Sequence, residues 1–374
     1  MKNIYFDIAA TTPIDPKVLS HMNKIQESIF GNPSSIHRFG QEARAVIERA
    51  RRQISTALNC TPKEIIFTGG GSESNNIALH GFLNQGDHLI TSSYEHPAIL
   101  KVAKELEIKG IEVSYVLPNH NGIVEVSKIE ECIQENTKLI SIMYVNNEMG
   151  TINPISNIVE MAKRKNIMTH TDAVQCFGKK LINMKDLNVD LLSASAHKFY
   201  GPKGVGFLYK KNEVKLTATL HGGGQELNLR PGTENIAGIS GLGLATNLCY
   251  ENMGNNMKKV VELEKEFLNG LKKNNIRFRL NGTDRLSGIM NITFFDISGQ
   301  QLLMHLDLNN IAISFGSACS SGTMKESQIL LETNMPASEA KNTVRISIGK
   351  IHTLDDVHIV VKSISEIIEK KNGK

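Results

Sequence analysis

Cysteine is scarce in this sequence of 374 residues, and its spacing argues against two kinds of site. The five cysteines are an odd number, and none of them forms a CxxC pair. They lie at positions 60, 132, 176, 249 and 319. Neither a disulfide framework nor a zinc cluster fits this arrangement. The spacing favours a protein of a reducing compartment.

Long apolar segments and an excess of one charge are also missing. No segment approaches the run of about eighteen apolar residues that a membrane span requires. The first residues, MKNIYFDIAATTP, include Asp7 and lack the apolar core of a signal peptide. The 42 basic and 38 acidic residues give a net charge of +4, unlike a protein dedicated to nucleic acids or membrane surfaces. We therefore expect a cytoplasmic protein that binds neither nucleic acids nor membranes directly.

The middle of the chain alternates short β-branched segments with helical patterns. Strands are predicted at 64–70, 88–93, 112–117, 139–145, 168–174 and 190–196, and helices at 72–83, 96–110 and 155–165. Strands separated by helices of this length predict a mostly parallel sheet that is covered on both faces. The expected fold class is therefore α/β.

The pattern changes after residue 250, where a charged helix is predicted at 256–274. Thr353 caps a final amphipathic helix at 353–370. Between these helices the pattern predicts strands at 276–280, 289–295, 312–316 and 343–349 and a helix at 299–310. A chain of this length is long for one core. We expect a large domain over 14–255 and a smaller α+β domain made of 1–13 and 256–374.

Ligands of an open parallel sheet bind beyond the carboxyl ends of its strands, so the residues that follow each strand are informative. Three glycines and Ser72 follow the strand EIIFT and open a helix. Free backbone N–H groups, a positive helix end and a hydroxyl together suit a phosphate. The segment GGGSES is neither a Walker A loop nor GxGxxG, and by itself it is equally typical of an ordinary strand-to-helix turn.

The other predicted strands are followed by polar side chains. His96 begins a helix, Asn147 lies in the cluster Asn-Asn-Glu, Asp172 precedes Gln175, and Lys198 follows the small residues SASAH. Each residue alone has an ordinary explanation as a cap, turn or surface residue. No metal-ligand spacing accompanies them.

Together, these strand ends supply a lysine, a carboxylate and a phosphate site. These three groups are what pyridoxal 5′-phosphate requires of a protein. The lysine forms a Schiff base, the carboxylate faces the pyridinium nitrogen, and the strand-to-helix turn holds the phosphate. The sequence therefore predicts that Lys198 is placed to bind an aldehyde.

A set of motifs in this order resembles the NifS/IscS-type cysteine desulfurases of the class V aminotransferase family, over essentially the whole chain. The motifs are DIAATTP, GNPSSIHRFG, GGGSESNN, EHPAIL, VNNEMGTINPI, TDAVQ, SASAHKFYGPKG, HGGGQE, RPGTEN, GSACSSG and VRISIG. The resemblance implies a pyridoxal-phosphate-dependent transferase of fold type I, with a large mostly parallel-sheet domain and a smaller α+β domain.

The resemblance also implies roles for the cofactor site. Lys198 matches the Schiff-base lysine, Asp172 the partner of the pyridine nitrogen, and Gln175 the partner of the phenolic oxygen. His96 matches the histidine that stacks on the ring and assists proton transfer. The remaining matches are phosphate ligands and one cofactor-site amide: Gly71, Ser72, Ser195 and His197, with Asn147 as the amide. Thr233 matches a phosphate ligand from the other subunit, which implies a homodimer.

For the substrate L-cysteine, Arg345 matches the guanidinium that clamps the carboxylate, with Asn32 beside it. A planar guanidinium suits a carboxylate because it donates two parallel hydrogen bonds. Cys319, in the loop SFGSACSSG, matches the nucleophile. Two departures are visible: Phe315 replaces the more usual Ser or Thr, and GGGSES replaces Gly-Ala-Thr-Glu-Ser, although the hydroxyl of Ser72 is kept.

These matches predict an enzyme that removes sulfur from L-cysteine, yielding L-alanine and a persulfide on Cys319. An acceptor protein, such as an iron–sulfur scaffold or a tRNA-thiolation enzyme, would take the sulfur. Two alternatives remain open. A selenocysteine lyase or aminotransferase on this fold would not need a thiol at 319, and a non-catalytic sulfur or cluster scaffold would have no use for Lys198 and Asp172.

Overall fold

A computed structural model of the chain describes residues 2–315, 327–371 and 373. The strands are β1 Ile4–Tyr5, β2 Ile65–Thr68, β3 His88–Ser92, β4 Glu112–Val116, β5 Thr137–Ser141, β6 Met168–Asp172, β7 Leu191–Ser195, β8 Gly206–Lys210, β9 Phe278–Asn281, β10 Ile289–Phe294, β11 Ile311–Ala312 and β12 Thr343–Ser347. The helices are α1 Pro16–Ser28, α2 Arg38–Leu58, α3 Gly71–Phe82, α4 Pro97–Ile108, α5 Val126–Glu131, α6 Ile155–Arg164, α7 Met184–Leu187, α8 Ile236–Glu251, α9 Met253–Lys273, α10 Gly299–Leu308, α11 Gln328–Glu332, α12 Ala337–Ala340 and α13 Leu354–Lys371. Short 3-10 turns cover Pro62–Glu64, Ala196–Lys198 and Glu226–Asn228.

Seven strands form the main sheet, in the order β2-β8-β7-β6-β5-β3-β4. All neighbours are parallel except β8, which is antiparallel to both β2 and β7. Strands β2, β3 and β7 are buried at every position, as expected where helices cover both faces. The predicted α/β fold with a mostly parallel sheet is confirmed, whereas strand β8 was not predicted.

The predicted strand at 139–145 is observed earlier and shorter, as β5. Beyond Ser141, the N–H of Met143 donates to the Glu95 carboxylate at 2.7 Å instead of to a neighbouring strand. The side chain of Glu95 therefore replaces part of the backbone ladder at this edge of the sheet.

A second hydrophobic core forms around β12-β10-β9 and the parallel pair β1-β11. Helices α9, α10 and α13 contribute apolar side chains to it. Phe6 packs edge-to-face on Phe267 of α9, with ring centroids 6.4 Å apart. As predicted, Thr353 caps the last helix, because its Oγ1 accepts from the N–H of Asp356 at 3.3 Å.

The N-terminal segment connects this second core to the main sheet. Asp7 forms a bridge with Ser347 of β12, and the N–H of Ala9 donates to the Ser347 hydroxyl at 2.9 Å. Three residues later, the N–H of Thr12 donates to the carbonyl of His197 at 2.8 Å. The backbone of residues 7–12 therefore crosses the carboxyl end of β7 and reaches the surroundings of Lys198.

Candidate active site

A cavity of about 280 Å³ lies at the carboxyl ends of β3, β5, β6 and β7. This is the edge at which ligands bind in open parallel sheets. The cavity brings together ten residues predicted for the site: Gly71, Ser72, His96, Asn147, Asp172, Gln175, Ser195, His197, Lys198 and Arg345.

Lys198 ends the 3-10 turn that directly follows β7. Its Nζ donates to the carbonyls of Ala9 and Ala10, at 2.7 and 2.8 Å. Small residues are needed here because the chain folds back on itself: a Cβ on Gly201 would lie 2.8 Å from the Cβ of Ala196. The small residues around the lysine therefore permit the tight turn that points its amine into the cavity.

Asp172 is the last residue of β6 and is 6% exposed. Its Oδ2 accepts from Nδ2 of Asn75 at 2.8 Å, and its Oδ1 accepts from the N–H of Val174 at 2.9 Å. Two donors, neither of them cationic, fix the orientation of this carboxylate at the floor of the cavity.

His96 is the N-cap of α4, and its Nδ1 accepts from the N–H of Ala98 at 3.1 Å. The proton of the neutral ring is therefore on Nε2. Burial lowers the pKa of His96; the charge of Lys198 also lowers it, while Asp172 opposes the shift. The ring is consequently neutral at pH 7.

The turn between β2 and α3 forms a narrow cradle. Gly70 has φ +149°, a conformation that side chains rarely adopt, and a Cβ on Gly71 would lie 2.6 Å from Cγ2 of Val174. The free N–H groups of the first turn of α3 and the hydroxyl of Ser72 suit an anion. Ser195 and His197 line the same cavity.

His197 faces this cradle as a neutral ring. Its Nδ1 lies 3.0 Å from Oγ1 of Thr11. Burial, together with the charges of Lys198 and two further lysines, lowers the pKa of His197 to about 4. At neutral pH, the ring can therefore act as a hydrogen-bond donor without a charge.

Arg345 lies on β12 and is 4% exposed. Its guanidinium pairs with Oδ1 of Asp7 at 2.7 Å and donates to the carbonyl of Asn147 at 2.7 Å. Its buried Nε and the buried Oδ1 of Asn147 have no hydrogen-bond partner among the described residues. Buried polar atoms without a partner are costly, so both atoms are candidates to bind a ligand.

Two buried carboxyl groups at the site were not assigned a role from the sequence. Burial raises the pKa of Glu95 well above its usual range, and burial also raises the pKa of Glu148. Glu148 lines the cavity and accepts a short hydrogen bond from Ser327. The only sequence signal was their position in the polar clusters after β3 and β5.

Two predicted ligands lie outside the cavity lining. Asn32 is exposed, and its Oδ1 accepts from the N–H of Ser34 at 2.9 Å. Thr233 is exposed in the loop before α8. Their assignments remain predictions, and the one for Thr233 concerns the site of a second subunit.

The predicted nucleophile, Cys319, lies outside the described residues. The four described cysteines are free. Burial raises the pKa of Cys60 and of Cys176 to about 12, and that of Cys249 to about 11. These three remain protonated at neutral pH, whereas the thiolate is the nucleophilic form.

The model of the family described as Aminotransferase class-V matches residues 4–360, which is nearly the whole chain. The chain belongs to the class V aminotransferase family. This class V chain is 43% identical to the cysteine desulfurase IscS of Clostridium botulinum over 378 residues, covering 99% of this chain and 95% of that protein.

Solved structures are also similar to this chain. A NifS-like protein superposes with a TM-score of 0.92 at 34% identity, covering 99% of this chain and 100% of the other. SspA, in a structure described as a complex with cysteine, superposes with a TM-score of 0.83 at 38% identity, covering 94% and 100%. The family predicted from the motifs is therefore confirmed.

Proposed function

We propose that this chain is a cysteine desulfurase, which converts L-cysteine to L-alanine and transfers the sulfur to Cys319 as a persulfide. One observation carries the proposal: the amine of Lys198, the fixed carboxylate of Asp172 and the buried Nε of Arg345 meet in one cavity. The cysteine desulfurase relatives and the cysteine complex of SspA support the choice of substrate.

The residues of the cavity fit pyridoxal phosphate. Lys198 would hold its aldehyde, Asp172 would face its ring nitrogen, and the cradle at Gly71 and Ser72 would hold its phosphate. A side chain at position 71 would collide with Val174, so the backbone there stays open for close approach. When bound, the cofactor supplies an electron sink for the carbanion formed at the substrate Cα.

The side chains around this group orient the substrate and move protons. We assign Arg345 to the substrate carboxylate, because it lines the cavity and its buried Nε has no hydrogen-bond partner among the described residues. The amine of Lys198 takes the proton from the substrate Cα. His96 holds a proton on Nε2 and stays neutral at pH 7, so we assign it a role in proton transfer at the sulfur and carbon atoms.

The sulfur step requires a second thiol. The thiolate of Cys319 attacks the sulfur of the bound cysteine, and the bond between that sulfur and Cβ breaks. The bonding electrons stay with the three-carbon part, which takes up protons and leaves as L-alanine. The balance is one L-cysteine and one thiol giving one L-alanine and one persulfide. The raised pKa values of Cys60, Cys176 and Cys249 support Cys319 in this role.

Assembly, location and acceptor are also proposals. We infer a homodimer with two shared sites, in which Thr233 serves the partner's phosphate site. The free thiols of the described cysteines support a reducing, cytoplasmic setting. Among the described residues, no helix is long and apolar enough to cross a membrane. An acceptor protein, such as an iron–sulfur scaffold or a tRNA-thiolation enzyme, would take the sulfur from Cys319.

The test is to load purified protein with pyridoxal phosphate, add L-cysteine and dithiothreitol, and quantify alanine, 3-mercaptopyruvate and sulfide. The proposal expects equal amounts of alanine and sulfide, and none from Lys198→Ala. Borohydride reduction should attach the cofactor to Lys198 and to no other lysine. 3-Mercaptopyruvate without sulfide would indicate an aminotransferase, and cofactor on another lysine would overturn the assignment.

A further inference from the structure

Behind the cavity lies a lysine that the proposed reaction does not use. Lys179 follows the positive-φ turn at Gly178, and its Nζ donates to Oε1 of Gln175 at 3.1 Å. The Nε2 of Gln175 donates to the carbonyl of Ala9 at 2.7 Å, the same carbonyl that accepts from Lys198. A continuous set of hydrogen bonds therefore joins Lys179 to the amine of Lys198.

The direction of these bonds determines how the Gln175 amide is oriented. A lysine ammonium only donates and a backbone carbonyl only accepts. The atom of Gln175 next to Lys179 must therefore be its oxygen, and the atom next to Ala9 must be its NH₂ group. Because Nε2 carries two protons, the second proton of this NH₂ group is available on the side that lines the cavity.

Lys179 is not among the residues that line the main cavity. It lines a cavity of about 40 Å³ that is large enough for water, and Ala9 borders this rear cavity and the main one. Burial lowers the pKa of Lys179 to about 8. The charged or titratable groups that face Lys179 or its cavity are Cys176, Cys249, His197, Arg345, Tyr200 and Lys350.

We propose that Lys179 is a positioning residue, which locks the Gln175 amide so that its NH₂ group faces the phenolic oxygen of bound pyridoxal phosphate. Without this lysine, only the bond to the Ala9 carbonyl still holds this orientation. The amide would then adopt the reversed orientation more often and present its oxygen, which would repel the oxygen of the ligand. The inference rests on the proposed function, since it assumes pyridoxal phosphate in the main cavity.

The experiment measures the dissociation constant of pyridoxal phosphate from the full-length apoprotein, by titration of its absorbance. For Lys179→Met we expect binding about tenfold weaker, the size of a lost charge-assisted hydrogen bond. Lys179→Arg keeps the donor and the charge, and should restore most of the affinity. Lys180→Met removes the same charge at the next residue, and should bind as the wild type does.

A double-mutant cycle separates positioning from packing. In a Gln175→Ala background, Lys179→Met should add less than a twofold loss, because the residue through which it acts is gone. The inference would be overturned if Lys179→Met weakened pyridoxal phosphate binding equally in both backgrounds. Wild-type affinity in Lys179→Met alone would overturn it as well. If Lys179→Met does not fold, Lys179→Gln in both backgrounds gives the same comparison. Failure of the wild type itself to bind pyridoxal phosphate would instead overturn the proposed function.

Discussion

At the scale of single residues, the site depends on which side chains remain uncharged at neutral pH. His96 and His197 are both kept neutral, chiefly by burial. A neutral imidazole can donate from one nitrogen and accept at the other, whereas a protonated ring only donates. His96 can therefore both donate and accept protons at pH 7. Because both rings are neutral, neither adds a positive charge next to Lys198.

Arg345→Lys should weaken the binding of L-cysteine and leave pyridoxal phosphate binding intact. Lysine keeps the charge but loses the planar donor pair, and it leaves Asp7 and the carbonyl of Asn147 without their present partner. We expect KM for L-cysteine to rise about tenfold or more, the size of a lost charge-assisted hydrogen bond. Steady-state kinetics of the loaded enzyme measures this.

The matched control for that variant is Arg279→Lys. Arg279 is on β9, and its side chain is 45% exposed in a pair with Glu339. Its replacement should leave KM unchanged. An unchanged KM in Arg345→Lys would remove that residue from the substrate site.

Ten of the residues that motifs marked in the sequence line one cavity, and their roles there remain predictions. Nine of them lie at or follow the strand ends that converge at one edge of the main sheet, and Arg345 comes from β12 of the second sheet. Lys179 was missed, since a lysine after glycine is usually on the surface and its contact with Gln175 depends on the fold. Glu95 was missed for a similar reason: its N–H partner, Met143, is distant in sequence.

At the scale of elements, the alternation of β-branched and helical patterns located most of the sheet. Helix α3 and strand β3 begin and end within one residue of their predicted bounds. Strand β8 was not predicted, and its antiparallel pairing with β2 and β7 is a property of the assembled sheet. Strand order cannot be read from periodicity, because it depends on packing between distant segments.

His170 connects three strands beneath the site. On β6, its Nδ1 lies 2.8 Å from Oγ of Ser141 on β5, and its Nε2 lies 3.0 Å from Oγ of Ser193 on β7. Burial lowers the pKa of His170 to about 3. The unfolded chain therefore binds this proton at a higher pH than the folded protein does.

Stability should consequently fall as the pH is lowered from about 6.5, the usual pKa of histidine, towards about 3. His170→Gln should make this decrease shallower by up to about 1.4 kcal/mol per pH unit, which is the change in the free energy of unfolding caused by the binding of one proton. Urea unfolding of the apoprotein at several pH values measures the slope. The control variant is His120→Gln, because His120 is exposed, and it should keep the wild-type slope. A slope in His170→Gln equal to that of the wild type would contradict the burial of His170 as a neutral ring.

At the scale of the whole molecule, the hydrophobic cores support the proposed division into two domains. The core around β10 and β12 draws on residues 4–6 and on residues from 263 onwards. The third core belongs to the main sheet and its helices. The largest core is centred on the main sheet and also takes in a few residues of the proposed small domain, namely Ala9, Leu286, Ile289, Ile329, Leu330 and Ala340. We propose on this basis a large domain at 14–255, with 1–13 and 256–374 forming the small one.

Exposed apolar side chains support the proposed dimer. Phe30, Ile36 and Phe39 are 73%, 91% and 53% exposed, and Leu227 is 57% exposed. A surface cavity is lined both by residues 33 and 34, next to Asn32, and by 224–228 and 234, next to Thr233. Clustered apolar surface of this kind usually marks an interface. A two-fold dimer would cover it and bring each Thr233 towards the partner's site.

Mixing two defective variants tests whether sites are shared. In a heterodimer of Lys198→Ala and Thr233→Ala, one site carries both defects and the other carries none. Random re-assortment should therefore restore about a quarter of wild-type activity, half of the dimers each having one intact site. Activity after mixing, compared with each variant alone, gives the result. No recovery despite confirmed subunit exchange would show that Thr233 does not serve a partner's site.

The transfer of sulfur to Cys319 separates desulfuration from the other reactions considered for this chain. The direct measurement is mass spectrometry of the loaded wild-type protein after brief exposure to L-cysteine without reductant. We expect one added sulfur on the peptide that contains Cys319, alanine in equal amount, and neither in Cys319→Ala. A persulfide on Cys60, Cys132, Cys176 or Cys249 instead, or full alanine production by Cys319→Ala, would contradict the account.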